Sequence, residues 1–344
     1  MTDLLQDEIS DLGEFGLIRH LTGDLSVINS STVKAIGDDA AVLHYPLKKI
    51  VVTTDMLAEG VHFNLVYTPL KHLGYKAAVV NFSDIYAMNA KPNQLLVSMA
   101  ISRKFTVSMM EEIYSGIKLA CKQYGVDLVG GDTTSSYTGL TLCLTAIGEA
   151  SDEDLVYRSG AGLHDLICVS GDLGGAYMGL QLLERERRLF EKERIVQPML
   201  EGYDYVLERQ LKPEARKDII SLLTELKIKP TAMIDISDGL SSEIMHICQQ
   251  SKTGCKIYSD KIPVHAETER VAREFDIDPV IAALNGGEDY ELLFTIPVKQ
   301  FDIAGKRNEF TIIGHIVNAD EGLKMITPQG EAVTLEAQGW NALS

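Results

Sequence analysis

Ser108 to Asp132, SMMEEIYSGIKLACKQYGVDLVGGD, carries in one run the alternation that sets the fold class. Ser108 with Glu111 three residues on has the form of a helix-opening capping box. Ile113, Ile117, Ala120, Cys121 and Tyr124 then recur at helical spacing until Gly125 stops the helix. Val126 to Val129 follows as a short apolar strand and runs straight into Gly130-Gly131-Asp132. A helix that feeds a strand ending on a carboxylate predicts a mixed α/β chain.

The pattern extends in both directions. Upstream, Ile50 to Thr54 is a β-branched strand ending at Asp55. Thr68 and Pro69 open a helix running to Met88, stopped by Asn89 and Pro92, and Leu95 to Ile101 is the next strand. Downstream, Leu140 to Ile147 is a strand, whereas Gly148 to Gly162 is polar, acidic and without period, which places a domain boundary there. At roughly 150 residues per domain, 344 residues divide into 1–150 and 151–344. In the second half Leu166 to Ser170 reads as a strand, Leu173 to Leu183 as a helix, and Glu184 to Arg194 as a solvated helix face. Ala232 to Ile234 leads into Asp235-Ile236-Ser237-Asp238-Gly239. A helix with Leu240, Ile244, Ile247 and Cys248 on one face follows, and Glu291 to Ile296 and Phe310 to Ile316 are late strands.

Composition narrows the partners. Apolar residues make up 45% and charged residues 24%, the profile of an ordinary globular chain, and no run approaches the roughly 20 apolar residues that span a bilayer. The formal charge of −17 repels nucleic acid and anionic lipid, so an anionic substrate needs a cation as mediator. Cys121, Cys143, Cys168, Cys248 and Cys255 are odd in number and form no C-x-x-C pair, so they read as reduced, mostly buried thiols of a cytoplasmic protein rather than a disulfide or zinc framework.

The aspartates carry the chemical signal. Asp39 follows Gly37-Asp38, Asp55 and Asp132 end strands, and Asp235 and Asp238 bracket a strand-to-helix turn; Asp84 lies within an apolar helix and needs a partner. Any one of them also suits a cap or a turn, and Asp238 could cap the helix after it. Several converging carboxylates would stay protonated unless cations neutralised them. Oxygen donors of this kind, with the Thr53 and Thr54 hydroxyls beside Asp55, suit Mg²⁺, which also bridges to phosphates. Phosphate loops of the Gly-x-x-x-x-Gly-Lys-Ser/Thr, protein-kinase and Gly-x-Gly-x-x-Gly kinds are absent. Gly171-Asp172-Leu173-Gly174-Gly175 reads as a strand-to-helix turn, and Gly286-Gly287-Glu288-Asp289-Tyr290-Glu291 either as a hairpin turn with solvated acids or as a functional loop.

Taken in order, Gly37-Asp38-Asp39-Ala40-Ala41, Thr53-Thr54-Asp55, Glu59-Gly60-Val61-His62-Phe63, Asn81 to Met88, Gly130-Gly131-Asp132-Thr133-Thr134, Arg158-Ser159-Gly160-Ala161, Asp235 to Leu240 and Gly286 to Glu291 resemble the thiamine-monophosphate kinase family. That family lies in the superfamily of aminoimidazole ribonucleotide synthetase and selenophosphate synthetase, and the resemblance runs from about Gly13 to Trp340. It implies a two-domain α/β (α+β) fold of the aminoimidazole ribonucleotide synthetase type, with the N-terminal sheet pairing across a homodimer. It also implies in-line phosphoryl transfer from ATP to thiamine monophosphate, yielding thiamine diphosphate, with Mg²⁺ and, as an optional ion, K⁺. Carried over residue by residue, Asp39, Thr53, Thr54, Asp55, Asp84, Asp132, Asp235 and Asp238 would hold metal. Tyr114, Gly131, Asp132, Arg158 and Ser237 would contact ATP, and His62, Glu288 and Trp340 the thiamine moiety. Asp55, Asp132, Arg158 and Asp235 would be catalytic.

By themselves His62 reads as a satisfied structural histidine after a strand, Arg158 as a surface ion-pairing residue, and Trp340 as a ring closing a core. An aminoimidazole ribonucleotide synthetase-like ligase and a non-catalytic nucleotide- or metal-binding relative are the alternatives. Selenophosphate synthetase needs a reactive cysteine early in the chain, where none precedes Cys121, and the hydrogenase-maturation relative carries one at its C-terminus, where this sequence reads Trp-Asn-Ala-Leu-Ser.

Overall fold

A computed structural model describes residues 17–36, 41–193 and 197–336. The chain divides into two compact units, one of Met1–Ile85 with Ala90–Glu153 and one of Tyr86–Asn89 with Asp154–Ser344.

In the first unit helix α1 includes residues 17–22, and strands β1 (Thr32–Lys34) and β2 (Val42–Leu43) form a small antiparallel pair. The main sheet has the order β3-β6-β4-β5, built from β3 (Lys49–Ala58), β4 (Lys91–Ser102), β5 (Asp127–Ser136) and β6 (Thr141–Ala150). Only β4 and β5 run parallel. Period-2 alternation sorts its side chains: along β6, Leu142, Leu144 and Ala146 are buried while Cys143, Thr145 and Ile147 are half-buried. The buried face meets helices α2 (Leu70–Ala87) and α3 (Val107–Tyr124); Ile85 of α2 lies against Gly148, and Phe82 of α2 meets Tyr124 of α3 at 5.4 Å between ring centroids. The opposite face is open yet apolar at its β3 edge, where Ile50, Val52 and Met56 are exposed.

Helix α3 begins one residue before the expected Ser108. Its cap is Thr106, whose hydroxyl accepts the Met109 amide at 3.4 Å, so Ser108 falls inside the first turn and the Ser108–Glu111 box does not form. Gly125 ends it left-handed, as its lack of a Cβ allows. Strand β4 runs through Pro92 instead of starting beyond it, because the ladder shifts register between Pro92 and Gln94 and a bulge tolerates the missing donor. Strand β5 likewise continues past Asp132 to Ser136, held by its pairing with β4.

The second unit is organised on a seven-stranded sheet of order β13-β12-β9-β11-β7-β10-β8. Its strands are β7 (Leu166–Ser170), β8 (Ala232–Asp235), β9 (Gly254–Tyr258), β10 (Leu292–Ile296), β11 (Phe310–Val317), β12 (Leu323–Ile326) and β13 (Ala332–Thr334); only β9 and β12 pair in parallel. Strands β7 and β10 are buried on both faces, which is why they read as unbroken apolar runs. Ile167, Val169, Ile234 and Leu293 pack with helix α7 (Leu240–Ser251) on one side. Cys168, Met233, Phe294 and Ile296 pack with helices α6 (Lys217–Glu225) and α10 (Phe301–Ala304) on the other. Helices α4 (Gly175–Glu193), α5 (Asp204–Leu211), α8 (Ala266–Glu274) and α9 (Pro279–Asn285) share a further cluster around Met178, Leu182, Val206 and Val271. Helix α4 is continuous through the charge-dense stretch. Arg187 there bridges Glu184 and Glu191 at its surface, but Glu186 is buried and accepts the Met199 amide at 2.9 Å, so that face is only partly solvated.

Candidate functional site

In the first unit β3 and α2 bring three of the expected residues together. Thr53 and Asp55, two apart on one face of β3, look toward α2, and the Thr53 hydroxyl donates to Asp84 Oδ2 at 2.5 Å. Asp84 thus has the partner its apolar helix demanded. Burial, and then the neighbouring Asp84 charge, push the Asp55 carboxyl up to about 7, and its Oδ2 is buried with no hydrogen-bond partner. A buried acceptor of this kind beside a second carboxylate is what a divalent cation satisfies, so this donor set fits Mg²⁺.

Thr54 is the exception to the expected hydroxyl pair. Strand pleat turns its side chain to the open face, where it donates to the Leu144 carbonyl at 3.0 Å and accepts from Thr145 at 3.0 Å. Asp132 lies exposed in the β-ladder row Met56, Cys143, Ser98, Asp132, while Asp55 belongs to the row Asp55, Leu144, Val97, Gly131. The pleat therefore separates Asp132 from the Asp55 face. A Cβ on Gly131, whose φ is +155°, would lie 1.8 Å from the Val97 carbonyl oxygen, so glycine there lets the two strands approach.

His62 sits in the turn after β3, and its Nδ1 accepts the Ala58 amide at 3.1 Å. Tyr114 is buried on α3, and burial pushes its hydroxyl up to about 12. Asp39 and Trp340 lie outside the described residues.

In the second unit Asp235 ends β8 opposite Leu292, buried. The turn after it is clasped by the loop 286–290: Glu288 N donates to Ser237 O at 2.7 Å and Tyr290 N to Ile236 O at 2.9 Å. Gly287 permits this contact, since its φ is +71° and a Cβ would sit 2.5 Å from the Ser237 carbonyl oxygen. Glu288 and Tyr290 also adopt positive φ, 59° and 52°, a local strain of the sort that gathers at functional loops. Glu288 is half-buried and accepts from Gln210 Nε2 at 2.8 Å.

Asp238 does not cap α7. The cap is Gly239, without a side-chain hydrogen bond, and Glu243 instead reaches back to accept the Asp238 amide at 2.9 Å. Burial raises the Asp238 carboxyl, while the nearby His246 and Arg158 charges pull it down. Glu243 is buried as well, and burial pushes its carboxyl up to about 7. Arg158 itself is exposed, its side chain within electrostatic reach of both acids.

The acids of the 286–291 loop are not all solvated. Asp289 and Glu291 are each 1% exposed. Asp289 accepts the Gly174 and Ala176 amides at 2.7 and 3.3 Å, which places a carboxylate at the N-terminus of α4 where a ligand anion could otherwise sit. Glu291 accepts from Ser170 at 2.5 Å and pairs with Arg209 at 2.8 Å and with Arg216. Gly171 to Gly175 is thus a strand-to-helix turn filled from within.

Sequence reasoning missed Glu243, Gln210, Arg209 and Arg216. An acid in the first turn of a predicted helix was a visible signal for Glu243; the other three lie more than 70 residues from their partners and left none. Among the described residues no group of three or more His, Cys, Asp or Glu side chains is gathered to hold a metal.

Comparison with known proteins adds the family. Residues 37–150 match the model for the AIR synthase related protein, N-terminal domain. The thiamine-monophosphate kinase of Aquifex aeolicus (strain VF5) is 35% identical over 333 residues, covering 96% of this chain and 98% of its own. That of Bacillus subtilis (strain 168) is 32% identical over 338 residues, covering 96% and 99%. A solved structure, AaThiL complexed with AMPPCP and TMP, superposes with a TM-score of 0.73 at 34% identity, covering 98% of this chain and all of that one. Near-complete coverage at this identity, on the same two-unit mixed α/β architecture, means that the chain belongs to the thiamine-monophosphate kinase family.

Proposed function

We propose that this chain is a kinase that transfers the terminal phosphoryl group of ATP directly to the phosphate of thiamine monophosphate, forming thiamine diphosphate and ADP. The observation that carries the reading is similarity along nearly the whole chain to enzymes of that name, one of them solved with AMPPCP and TMP. The accepting oxygen belongs to a phosphate whose second pKa is about 6, so it is largely deprotonated near neutrality and needs no general base. The protein must instead align two mutually repelling phosphates and neutralise charge on the transferring group. Bound Mg²⁺ supplies that neutralisation.

In this reading Asp55 and Asp84, positioned by Thr53, are metal ligands of the first unit, and Asp235 and Asp238 are metal ligands of the second. Asp39, Thr54 and Asp132 stand as further metal contacts on the strength of the resemblance, with Thr54 offering only its backbone to the Asp55 face. Tyr114, Gly131, Asp132, Arg158 and Ser237 serve ATP; Arg158 is the exposed cation among them. His62, Glu288 and Trp340 serve the thiamine moiety, where Glu288, fixed by Gln210, complements a cationic thiazolium. Residues 1–150 form the ATP- and metal-binding domain and 151–344 its companion. The exposed apolar row Ile50, Val52 and Met56 supports a homodimer joined through the first unit's sheet, and five free thiols suit a reducing cytoplasm. K⁺ is an optional additional ion.

ADP release by purified protein with ATP and Mg²⁺ tests the proposal. It is expected with thiamine monophosphate and absent with free thiamine; release only with formylglycinamidine ribonucleotide overturns it.

A further inference from the structure

A cavity of about 830 Å³ opens in the second unit along β11, and neither the carboxylates of β8 nor those of the 286–291 loop are among its lining residues. Its walls are apolar and aromatic, with Phe301 of α10, Phe310 of β11 and Tyr258 at the end of β9. The Tyr258 ring lies 6.0 Å from that of His315, tilted by 34°. Its polar lining is unusual for a chain of charge −17: Lys261, Arg307, His164 and His315 line it, and among the described residues no acidic side chain does.

The two permanent cations are also unspent. Elsewhere in this unit Arg187, Arg209, Arg216 and Arg270 are each engaged by carboxylates. Lys261 and Arg307 form no ion pair with a described residue, and Arg307 Nε is buried without a hydrogen-bond partner. Leaving a buried donor without a partner is unfavourable, because it has given up its water and gained nothing in return, and an anion in the cavity would remove that cost. The volume falls in the range of small-molecule pockets, roughly 300–1,000 Å³. Exposed Phe301 and Val298 at the rim would be covered by the same guest.

We propose that this cavity is a second ligand site, separate from the kinase site, that takes an aromatic anion: a flat ring system bearing one phosphate, sulfonate or carboxylate group. The ring packs among Tyr258, Phe301 and Phe310, and the acid group meets Arg307 and Lys261. Charge-assisted contacts to arginine are the strong kind, and stacking on aromatic walls supplies the apolar share.

The probe is 8-anilinonaphthalene-1-sulfonate, titrated into the full chain by calorimetry and fluorescence beside its uncharged counterpart N-phenyl-1-naphthylamine. One saturable site is expected for the sulfonate, with affinity at least about tenfold above that of the neutral dye. Lys261→Gln with Arg307→Gln lowers sulfonate affinity at least about tenfold and leaves the neutral dye unchanged. Phe301→Ser weakens both dyes, and Arg270→Gln on α8 weakens neither. ADP release stays at the wild-type rate in all of these variants, so failure here is distinct from failure of the kinase reading. Equal binding of the two dyes to the wild-type chain, absence of a saturable site, or indifference to the double substitution each overturns the proposal. The dye comparison needs no variant and stands even if a substituted chain folds poorly.

Discussion

Asp55 shows how one carboxylate can be both a cost and a tool. With its carboxyl raised from 3.8 to about 7, the folded metal-free chain holds that proton more tightly than the unfolded chain does. Its ionisation therefore subtracts stability progressively as pH rises from about 4 to about 7, and the full penalty stands above that. A cation at Oδ2 reverses the sign. Asp55→Asn is expected to raise the melting temperature of the metal-free protein at pH 8, to abolish the rise produced by Mg²⁺, and to lower turnover at least about 100-fold. Scanning calorimetry with and without Mg²⁺, beside an ADP assay, checks all three; an unchanged Mg²⁺ response contradicts the assignment. The need of Asp84 for a partner was legible in its apolar neighbours, whereas the identity of that partner, Thr53 rather than Thr54, depends on strand pleat.

At the scale of elements, the 286–291 loop divides its acids by depth. Glu288 remains half-buried at the candidate site while Asp289 and Glu291 turn inward, one onto the α4 N-terminus and one between two arginines. Period alone does not disclose this, because Glu288 and Tyr290 take left-handed φ values that break strand alternation. Glu291→Ala leaves Arg209 and Arg216 side by side in a buried setting, and is expected to destabilise the fold by about 3–5 kcal/mol in urea unfolding. A loss below about 1 kcal/mol, the scale of a surface pair, would show that the network is solvated. Glu243 makes the complementary point: an acid five residues beyond Asp238 removes the need for Asp238 to cap and leaves that carboxylate free of helix duty.

For the whole molecule, the open face of the β3-β6-β4-β5 sheet sets the expected assembly. Val52 and Met56 stand 60% and 59% exposed on an edge strand, a liability that a second copy would cover. Sedimentation equilibrium is expected to give a dimer for the wild-type chain and a monomer for Val52→Asp with Met56→Glu; a wild-type monomer at micromolar concentration refutes the pairing. Composition, hydrophobic period and ordered motifs sufficed for the mixed α/β class, for the strand that ends at Asp235 and for the family, because local spacing and residue chemistry are properties of neighbours in the chain; the expected strand end at Asp55 did not hold, since pairing with β6 carries β3 on to Ala58. Tertiary structure alone decided which face each side chain takes, that Asp289 and Glu291 are buried structural acids, and where Lys261 and Arg307 meet an apolar cavity. Those outcomes arise from hydrogen-bonded ladders and packing between residues tens of positions apart, where burial and the charge of distant partners, not local sequence, set the free energy.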